Sequence, residues 1–111
     1  MAHRKRGLRS HVYFYKRDAR KRAIAWRLSD QRAERLMQLC CHWCAAPPSP
    51  FNGIDRLDNE PWYSARNCVP CCKRCNRSKS NMSSTEFIRW CAAVVSRRFA
   101  CVRDGQHLLK F

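Results

Sequence analysis

Two Cys-x-x-Cys pairs constrain this chain more than any other feature of its sequence. They are Cys41 with Cys44 and Cys72 with Cys75, and 27 residues separate one pair from the other. Each pair places two thiolates on one tight turn, and two such turns supply the four ligands of a tetrahedral zinc site. A site of four thiolates is closed to water, so the predicted Zn²⁺ is structural and couples folding to metal binding.

The other cysteines leave the register of that site open. Cys40 and Cys71 lie directly beside the pairs and could replace a neighbour in a C-x3-C alternative. Cys68, Cys91 and Cys101 are expected to pack in the core as small apolar side chains. An odd total of nine cysteines with short paired spacings favours metal ligation over disulfides, which predicts an intracellular setting, in the host cytoplasm or nucleus.

The charge of the chain predicts a polyanionic partner. Lys and Arg number 23 against 8 Asp and Glu, a formal net charge of +15. Binding to phosphates releases condensed counterions, whereas no apolar run is long enough to predict a membrane span. Ordinary solvated helix faces are the alternative reading of such charge runs. The residues expected to face phosphates are Arg4, Lys5, Arg6, Lys16, Arg17, Arg20, Lys21, Lys73, Arg74, Arg77 and Lys79.

The local patterns predict an α+β fold in a single domain over 1–111, with helices at both ends. Residues 1–9 are interpreted as a basic flexible arm, and 41–81 as the zinc-knuckle core. Basic residues in 11–28 share one face of a helix, and Ser29 is expected to cap a helix over 30–39. The remaining predicted elements are strands at 53–57 and 67–71 with a loop at 58–66, and a basic helix over 73–81.

A capping box, Ser83 to Glu86, predicts the start of a last helix that runs to about 97. Its expected inner face consists of Phe87, Ile88, Cys91, Val94 and Val95. The tail, 98–111, is interpreted either as a short strand or as an irregular cover.

Acidic residues gather between the two cysteine pairs. A segment of six residues contains three of the eight acidic residues of this strongly basic chain, namely Asp55, Asp58 and Glu60. Carboxylates repel DNA, but they suit a site where a divalent cation lies between them and a phosphate. The alternative is a polar loop whose acids pair with nearby arginines.

The motifs of this segment resemble those of a known enzyme family. Gly53-Ile54-Asp55-Arg56, Asp58-Asn59, Tyr63, Asn67 and Cys75-Asn76-x-x-Lys79 occur in the order found in HNH (ββα-metal) endonucleases with a GIDRxDN motif between two zinc knuckles. Such domains occur in phages, giant viruses and some restriction enzymes, and the resemblance covers about residues 12–92. It implies a β-hairpin followed by a helix, with one catalytic divalent ion between them.

The resemblance also implies roles for single residues. Asp55 and Asn76 would be ligands of a catalytic Mg²⁺ or Mn²⁺, and Asn67 would tie the hairpin loop together. Lys79 and Arg77 would face the phosphates. The implied activity is hydrolysis of phosphodiester bonds, most simply in double-stranded DNA, and a homodimer would suit the cutting of two strands.

The sequence departs from the family at Arg56, where most HNH enzymes have a catalytic histidine. An arginine cannot accept the proton of the attacking water, although it can stabilise charge that develops on the phosphorus. His42, Tyr63 and Asp58 remain open as candidates for the general base or nucleophile. Two other functions also remain open, a non-catalytic zinc-ribbon protein that binds DNA or RNA within a larger nucleoprotein assembly, and a toxin-like RNase.

Overall fold

The computed structural model describes residues 7–103, and side chains as far as Arg98 and Phe99. It divides into two compact units, Met1–Asn81 and Met82–Phe111. The α+β class predicted from the sequence is confirmed. The elements in chain order are α1 (Leu8–Lys21), β1 (Ala25–Trp26), α2 (Asp30–Met37), β2 (Gly53–Arg56), β3 (Trp62–Tyr63), β4 (Cys68–Cys71), α3 (Lys73–Lys79) and α4 (Ser84–Arg103).

Two short sheets organise the first unit. Strands β2 and β4 are antiparallel, with Gly53 opposite Cys71 and Arg56 opposite Cys68. Both predicted strands are therefore confirmed, each one residue shorter than expected. Strands β1 and β3 form a two-residue parallel pair. The segment 58–66 was predicted as a loop, but it contains β3, because a two-residue strand is too short to show a period in the sequence.

The core of the first unit lies where α1 and α2 pack against the sheets. Helix α1 is amphipathic, so it buries one apolar stripe and leaves its basic residues outside. The fully buried residues of this core are Val12, Ala19, Leu28, Ala33, Leu36, Met37, Ile54, Tyr63 and Cys68. The core therefore joins the N-terminal helices to the strand that carries Asp55.

The helix ends follow local chemistry. The Ser29 hydroxyl accepts a hydrogen bond from the Arg32 backbone N–H at 3.0 Å, which confirms Ser29 as the N-cap of α2. Helix α2 ends at Met37, two residues earlier than predicted. Helix α1 begins at Leu8, so the last two residues of the predicted arm are helical, and residues 1–6 lie outside the described part.

The second unit consists of α4 in its described part. The predicted capping box is confirmed, because Glu86 Oε1 accepts from the Ser83 N–H at 2.9 Å and Ser83 Oγ accepts from the Glu86 N–H at 3.2 Å. The helix continues to Arg103, so 98–103 is helical and not the strand or irregular cover expected. No helix in the described residues is long and apolar enough to cross a membrane.

The predicted inner face of α4 is only partly correct. Phe87 is buried, but the rest of the stripe is exposed: Ile88, Cys91, Val94 and Val95. Apolar spacing identifies one face of a helix, but it does not show that another element covers that face. The side chain of Cys101 lies outside the described residues.

Candidate metal centre and adjoining clefts

Both Cys-x-x-Cys pairs come together in the first unit. The Sγ atoms of Cys41, Cys44, Cys72 and Cys75 all lie within 4.8 Å of one another. The Sγ atoms of Cys44 and Cys72 are 3.7 Å apart. A tetrahedral zinc ion with Zn–S distances of about 2.3 Å requires sulfur–sulfur distances of about 3.8 Å. The four thiols therefore form a cluster with the spacing of a zinc-like metal site.

The two alternative ligands lie outside this cluster. Cys40 is exposed, and the thiol of Cys71 is buried and donates a hydrogen bond to the carbonyl oxygen of Cys72 at 3.4 Å. Cys71 also occupies a strand position opposite Gly53. The structure therefore selects the C-x2-C register over the C-x3-C alternative.

Each cysteine pair lies on a tight turn. In the first turn the Cys41 N–H donates to the Ala46 carbonyl at 2.8 Å, and Ala45 has a positive φ of 65°. In the second turn Cys72 is the N-cap of α3, and its Sγ accepts from the Cys75 N–H at 3.4 Å. These turns direct backbone N–H groups at sulfur, which stabilises thiolates.

The thiols depend on one another for their ionisation. Burial opposes ionisation of Cys41, but hydrogen bonds from the backbone of Cys44, Cys72 and Trp43 lower its pKa to about 6. Burial and the neighbouring thiols raise the pKa of Cys75. One thiolate in such a cluster disfavours the next, so a cation at the centre is the simplest way to ionise all four.

Hydrogen bonds fasten the first cysteine turn to the sheet beside it. The His42 N–H donates to the Pro70 carbonyl of β4 at 2.8 Å. The indole N–H of Trp43 donates to Asp55 Oδ2 on β2 at 3.4 Å. The metal centre is thereby connected directly to the acidic residue at the centre of the predicted catalytic site.

A cleft of about 390 Å³ adjoins this centre. Residues of α1, β2, β3 and α3 line it, so four elements from separate parts of the sequence meet there. Six of the predicted site residues line this cleft, namely Asp55, Arg56, Tyr63, Lys73, Asn76 and Lys79. His42, Asp58 and Asn67 are not among its lining residues.

Asp55 is almost buried and already has a cationic partner. Its side chain is 10% exposed, and Oδ2 lies 3.3 Å from Lys79 Nζ. The Lys79 ammonium also donates to the Arg56 carbonyl at 3.2 Å. The expectation that Lys79 faces phosphates at the surface does not fit, because this residue is 1% exposed and its charge is directed at β2. The pair instead joins α3 to the strand.

Asn67 makes the contacts that its expected loop-tying role requires. Its Oδ1 accepts from the Ser64 N–H at 2.9 Å, and its Nδ2 donates to Glu60 Oε1 at 3.1 Å and to the Trp62 carbonyl at 3.0 Å. The amide thus connects three points of the loop between β2 and β4. Because these contacts occupy a buried side chain, Asn67 acts on the cleft only through the loop.

Arg56 and Tyr63 pack against each other at the edge of the cleft. The guanidinium lies 5.4 Å from the centre of the Tyr63 ring and donates to the Glu60 carbonyl. Burial raises the pKa of Tyr63, although Arg22 and Arg56 act in the opposite direction. Tyr63 therefore stays neutral at physiological pH and is held in the core.

The two remaining candidates for the general base lie elsewhere. Asp58 is exposed in the loop that follows β2. His42 is exposed in the first cysteine turn, with its ring 4.7 Å from the Trp43 ring in an edge-on arrangement. Neither side chain lines the cleft beside Asp55.

Tyr15 is a structural residue of the site that sequence reasoning missed. Its hydroxyl oxygen accepts a hydrogen bond from the Ile54 N–H at 3.1 Å, and burial raises its pKa to about 12. A Cβ atom at Gly53 would collide with the same hydroxyl, so only glycine fits there. The Gly-Ile pair of the motif therefore has a physical reason, which depends on a contact across 39 positions of the chain.

The predicted phosphate-facing residues divide into four groups, one of which is the buried Lys79 described above. Lys16 is engaged in an ion pair with Asp30, at 2.7 Å between Nζ and Oδ1, and so connects α1 to α2. Its availability to phosphate was therefore overestimated. Arg4, Lys5 and Arg6 lie outside the described residues. The members that the structure places at the surface are Arg17, Arg20, Lys21, Lys73, Arg74 and Arg77.

A second cleft, of about 850 Å³, lies beside the first. Two cysteines of the cluster, Cys44 and Cys72, line it together with Phe51 and Arg74. Four residues line both clefts, namely His11, Tyr15, Lys73 and Asn76. The two spaces therefore adjoin at α1 and at the start of α3, beside the cysteine cluster.

Comparison with known proteins finds one distant similarity. The chain is 31% identical over 83 residues to an uncharacterized protein of Acanthamoeba polyphaga mimivirus. The match covers 74% of this chain but only 16% of the viral protein, so the chain spans a small part of that relative's length. No family model matches the chain, and no solved structure matches it.

Proposed function

We propose that this protein is a metal-dependent DNA endonuclease of the HNH (ββα-metal) type, built around a structural zinc ion. The observation that carries the proposal is the position of Asp55 on β2 and Asn76 on α3, which line one cleft next to the cysteine cluster. An antiparallel strand pair followed at once by a helix is the arrangement that such enzymes use. Here β2, β4 and α3 occur in that order.

The residues of the cleft fit a divalent cation. Asp55 and Asn76 offer oxygen donors, which suit Mg²⁺ or Mn²⁺. Trp43 and Lys79 both contact Asp55 through its Oδ2 atom. Such an ion would polarise the scissile phosphate and stabilise the leaving oxygen. Lys79 pairs with the Asp55 carboxylate and orients it, and Arg56 lines the cleft, where it would stabilise negative charge on the phosphate.

The surface around the cleft supports a nucleic-acid substrate. Lys73 and Arg74 line the larger cleft, and Arg77 is exposed one turn further along α3. Cations placed around oxygen donors orient a phosphodiester backbone and make its binding dependent on salt. We propose double-stranded DNA as the substrate, an intracellular site of action, and a homodimer where both strands are cut.

One observation favours a second function. The Asp55 carboxylate is already paired with Lys79, and a buried ion pair of this kind can serve the fold alone. In that case the protein is a non-catalytic zinc-ribbon module that holds DNA or RNA within a larger assembly. The net charge of +15 would then carry the function.

Nicking of a supercoiled plasmid in the presence of Mg²⁺ tests the proposal. Asn76→Ala is the decisive variant, because this side chain is exposed and its loss leaves the Asp55–Lys79 pair intact. Ser78→Ala, exposed on the same helix and outside both clefts, is the matched control. We expect nicking by the wild type and by Ser78→Ala, and loss of nicking in Asn76→Ala with DNA retention preserved.

Other outcomes decide between the candidates. DNA retention without nicking at any divalent ion would reject the endonuclease and favour the binding module. Nicking by Asn76→Ala at the wild-type rate would show that Asn76 is not a ligand of the catalytic ion. Parallel assays on single-stranded DNA and on RNA test the substrate, and cleavage of RNA alone would identify the protein as an RNase.

A further inference from the structure

None of the candidates named from the sequence offers an acceptor in this cleft for the proton of the attacking water. Arg56 cannot accept one at physiological pH. His42 and Asp58 lie outside the cleft, and Tyr63 is buried with a raised pKa. The residues considered from the sequence therefore leave this step unassigned, and a different part of the chain has to supply it.

A histidine of α1 lines the cleft instead. His11 lies in the second turn of α1 and lines both clefts, in company with Asn76. The structure describes two histidines, His11 and His42, and of these His11 lines the cleft that contains Asp55.

Two aromatic rings and the helix position the His11 imidazole. Its ring centre is 5.6 Å from that of Tyr15, which it meets edge-on, and 5.6 Å from that of Phe51. Tyr15, one helical turn later, is fixed by its hydrogen bond with the backbone of Ile54, the residue before Asp55. The imidazole is thus anchored to the same strand as the predicted metal ligand.

We propose that His11 is the general base of this enzyme, in place of the histidine that Arg56 replaces. This inference rests on the proposed endonuclease function. The imidazole accepts a proton from a water molecule while the oxygen of that water forms a bond to phosphorus. The bond from phosphorus to the 3′ oxygen breaks, and this oxygen takes a proton from solvent.

Chemistry separates His11 from the other titratable residues of the cleft. Histidine is the side chain most often used as a general base, because an imidazole nitrogen can both accept and release a proton. The pKa of Tyr15 is about 12, so its phenol stays protonated. The charged and titratable groups that line the cleft with His11 are Tyr15, Asp18, Arg22, Asp55, Arg56, Tyr63, Lys73 and Lys79.

The reaction requires groups on two sides of the phosphorus atom. The attacking water and the leaving oxygen lie on opposite sides of phosphorus in an in-line displacement. His11 comes from α1, whereas Asp55 and Asn76 come from β2 and α3. Different elements of the cleft therefore supply the group that activates water and the groups that stabilise the leaving oxygen.

The test compares two histidine substitutions in the plasmid assay. His11→Gln keeps a polar side chain of similar length, and His42→Gln removes the imidazole that lies outside the cleft. General base catalysis contributes about 100-fold or more, so we expect His11→Gln to cut at least about 100-fold more slowly and His42→Gln to cut at the wild-type rate. Both should retain DNA and bound zinc.

A second variant distinguishes a catalytic role of His11 from a structural one. His11→Ala leaves space beside Phe51 and Tyr15, and added imidazole should restore part of the lost rate, in proportion to its concentration, if the side chain acts as a base. Restoration supports the proposal, because a structural role gives no such response. Loss of cutting that imidazole does not restore, or unchanged cutting by His11→Gln, would overturn it while the Asn76 result keeps the endonuclease. A wild-type protein that does not cut overturns both proposals.

Discussion

The cysteine cluster and the cleft that contains Asp55 both lie in the first unit, but they are built in opposite ways. The cluster consists of two local turns, and each turn is specified by a spacing of two residues between cysteines. The cleft consists of contacts between α1, β2, β3 and α3, and its central carboxylate is already neutralised by Lys79. Candidate ligands at short spacing can therefore be assigned from the sequence, whereas the partners of a buried charge cannot.

The largest expected effect concerns the cluster. Cys75→Ser removes one of four ligands, and we expect it to abolish cooperative unfolding of the first unit, because metal binding and folding are coupled at closed sites. Far-ultraviolet circular dichroism, thermal melting and zinc content measure this. Cys40→Ser, at the exposed cysteine outside the cluster, is the matched control and should melt as the wild type does. An unchanged melting curve for Cys75→Ser would contradict the assignment.

The next effect concerns the charged pair of the cleft. Asp55→Ala leaves Lys79 buried without its carboxylate, and we expect the free energy of unfolding to fall by about 3–5 kcal/mol. Lys79→Met removes the other charge, and the double variant should be less destabilised than the sum of the two single variants. Denaturant unfolding of all four proteins measures the coupling. Additive losses would show that the two charges do not interact.

Loss of activity in Asp55→Ala has two possible causes. An Asp55→Ala protein that no longer cuts could have lost a metal ligand or its fold. Asn76 is exposed and has no part in the Asp55–Lys79 pair, so its substitution separates the two explanations.

A smaller effect tests the contact between α1 and β2. Gly53→Ala places a Cβ against the Tyr15 hydroxyl, so we expect a loss of about 1–3 kcal/mol in the free energy of unfolding. Tyr15→Phe alone removes the acceptor of the Ile54 N–H, but it removes the obstructing oxygen as well. The double variant should therefore recover part of the Gly53→Ala loss. A double variant that is less stable than Gly53→Ala by the full Tyr15→Phe loss would contradict the steric explanation.

The smallest effect is at the start of α2. Ser29→Ala removes the hydroxyl that accepts from the Arg32 N–H, and we expect it to lower the free energy of unfolding by about 1 kcal/mol. Ser29→Asp, which keeps an acceptor, should be close to the wild type. Equal losses in both variants would show that the cap contributes nothing.

The sequence predicted those parts of the molecule that depend on neighbours along the chain. The clustering of the four cysteines, the Ser29 cap and the capping box of α4 were all predicted correctly, since each rests on spacings of two or three residues. The pairing of β2 with β4 was also predicted correctly, because a single loop separates the two strand segments in the sequence. Local patterns of this kind decide turns and helix ends with little help from the rest of the fold.

The parts that were missed depend on contacts between distant elements. Lys79 matches a position of the family motif, and the motif suggested a contact with phosphate. In the structure Lys79 is buried against Asp55, so its charge contacts that carboxylate. Lys16 belongs to a basic stripe in the sequence, but in the structure it forms an ion pair with Asp30 of another helix. His11 carried no motif, and only the packing of α1 beside β2 brings it into the cleft. Charge and spacing give no information about such partners.

The measurement that tests the endonuclease most directly is the rate of plasmid nicking as Mg²⁺ is titrated into zinc-loaded wild type and Asn76→Ala. We predict nicking that rises with Mg²⁺ and saturates in the wild type, and nicking reduced to background in a folded, DNA-retaining Asn76→Ala protein. DNA retention by both proteins with no nicking at any Mg²⁺ or Mn²⁺ concentration would contradict the account and leave a zinc-stabilised nucleic-acid-binding module.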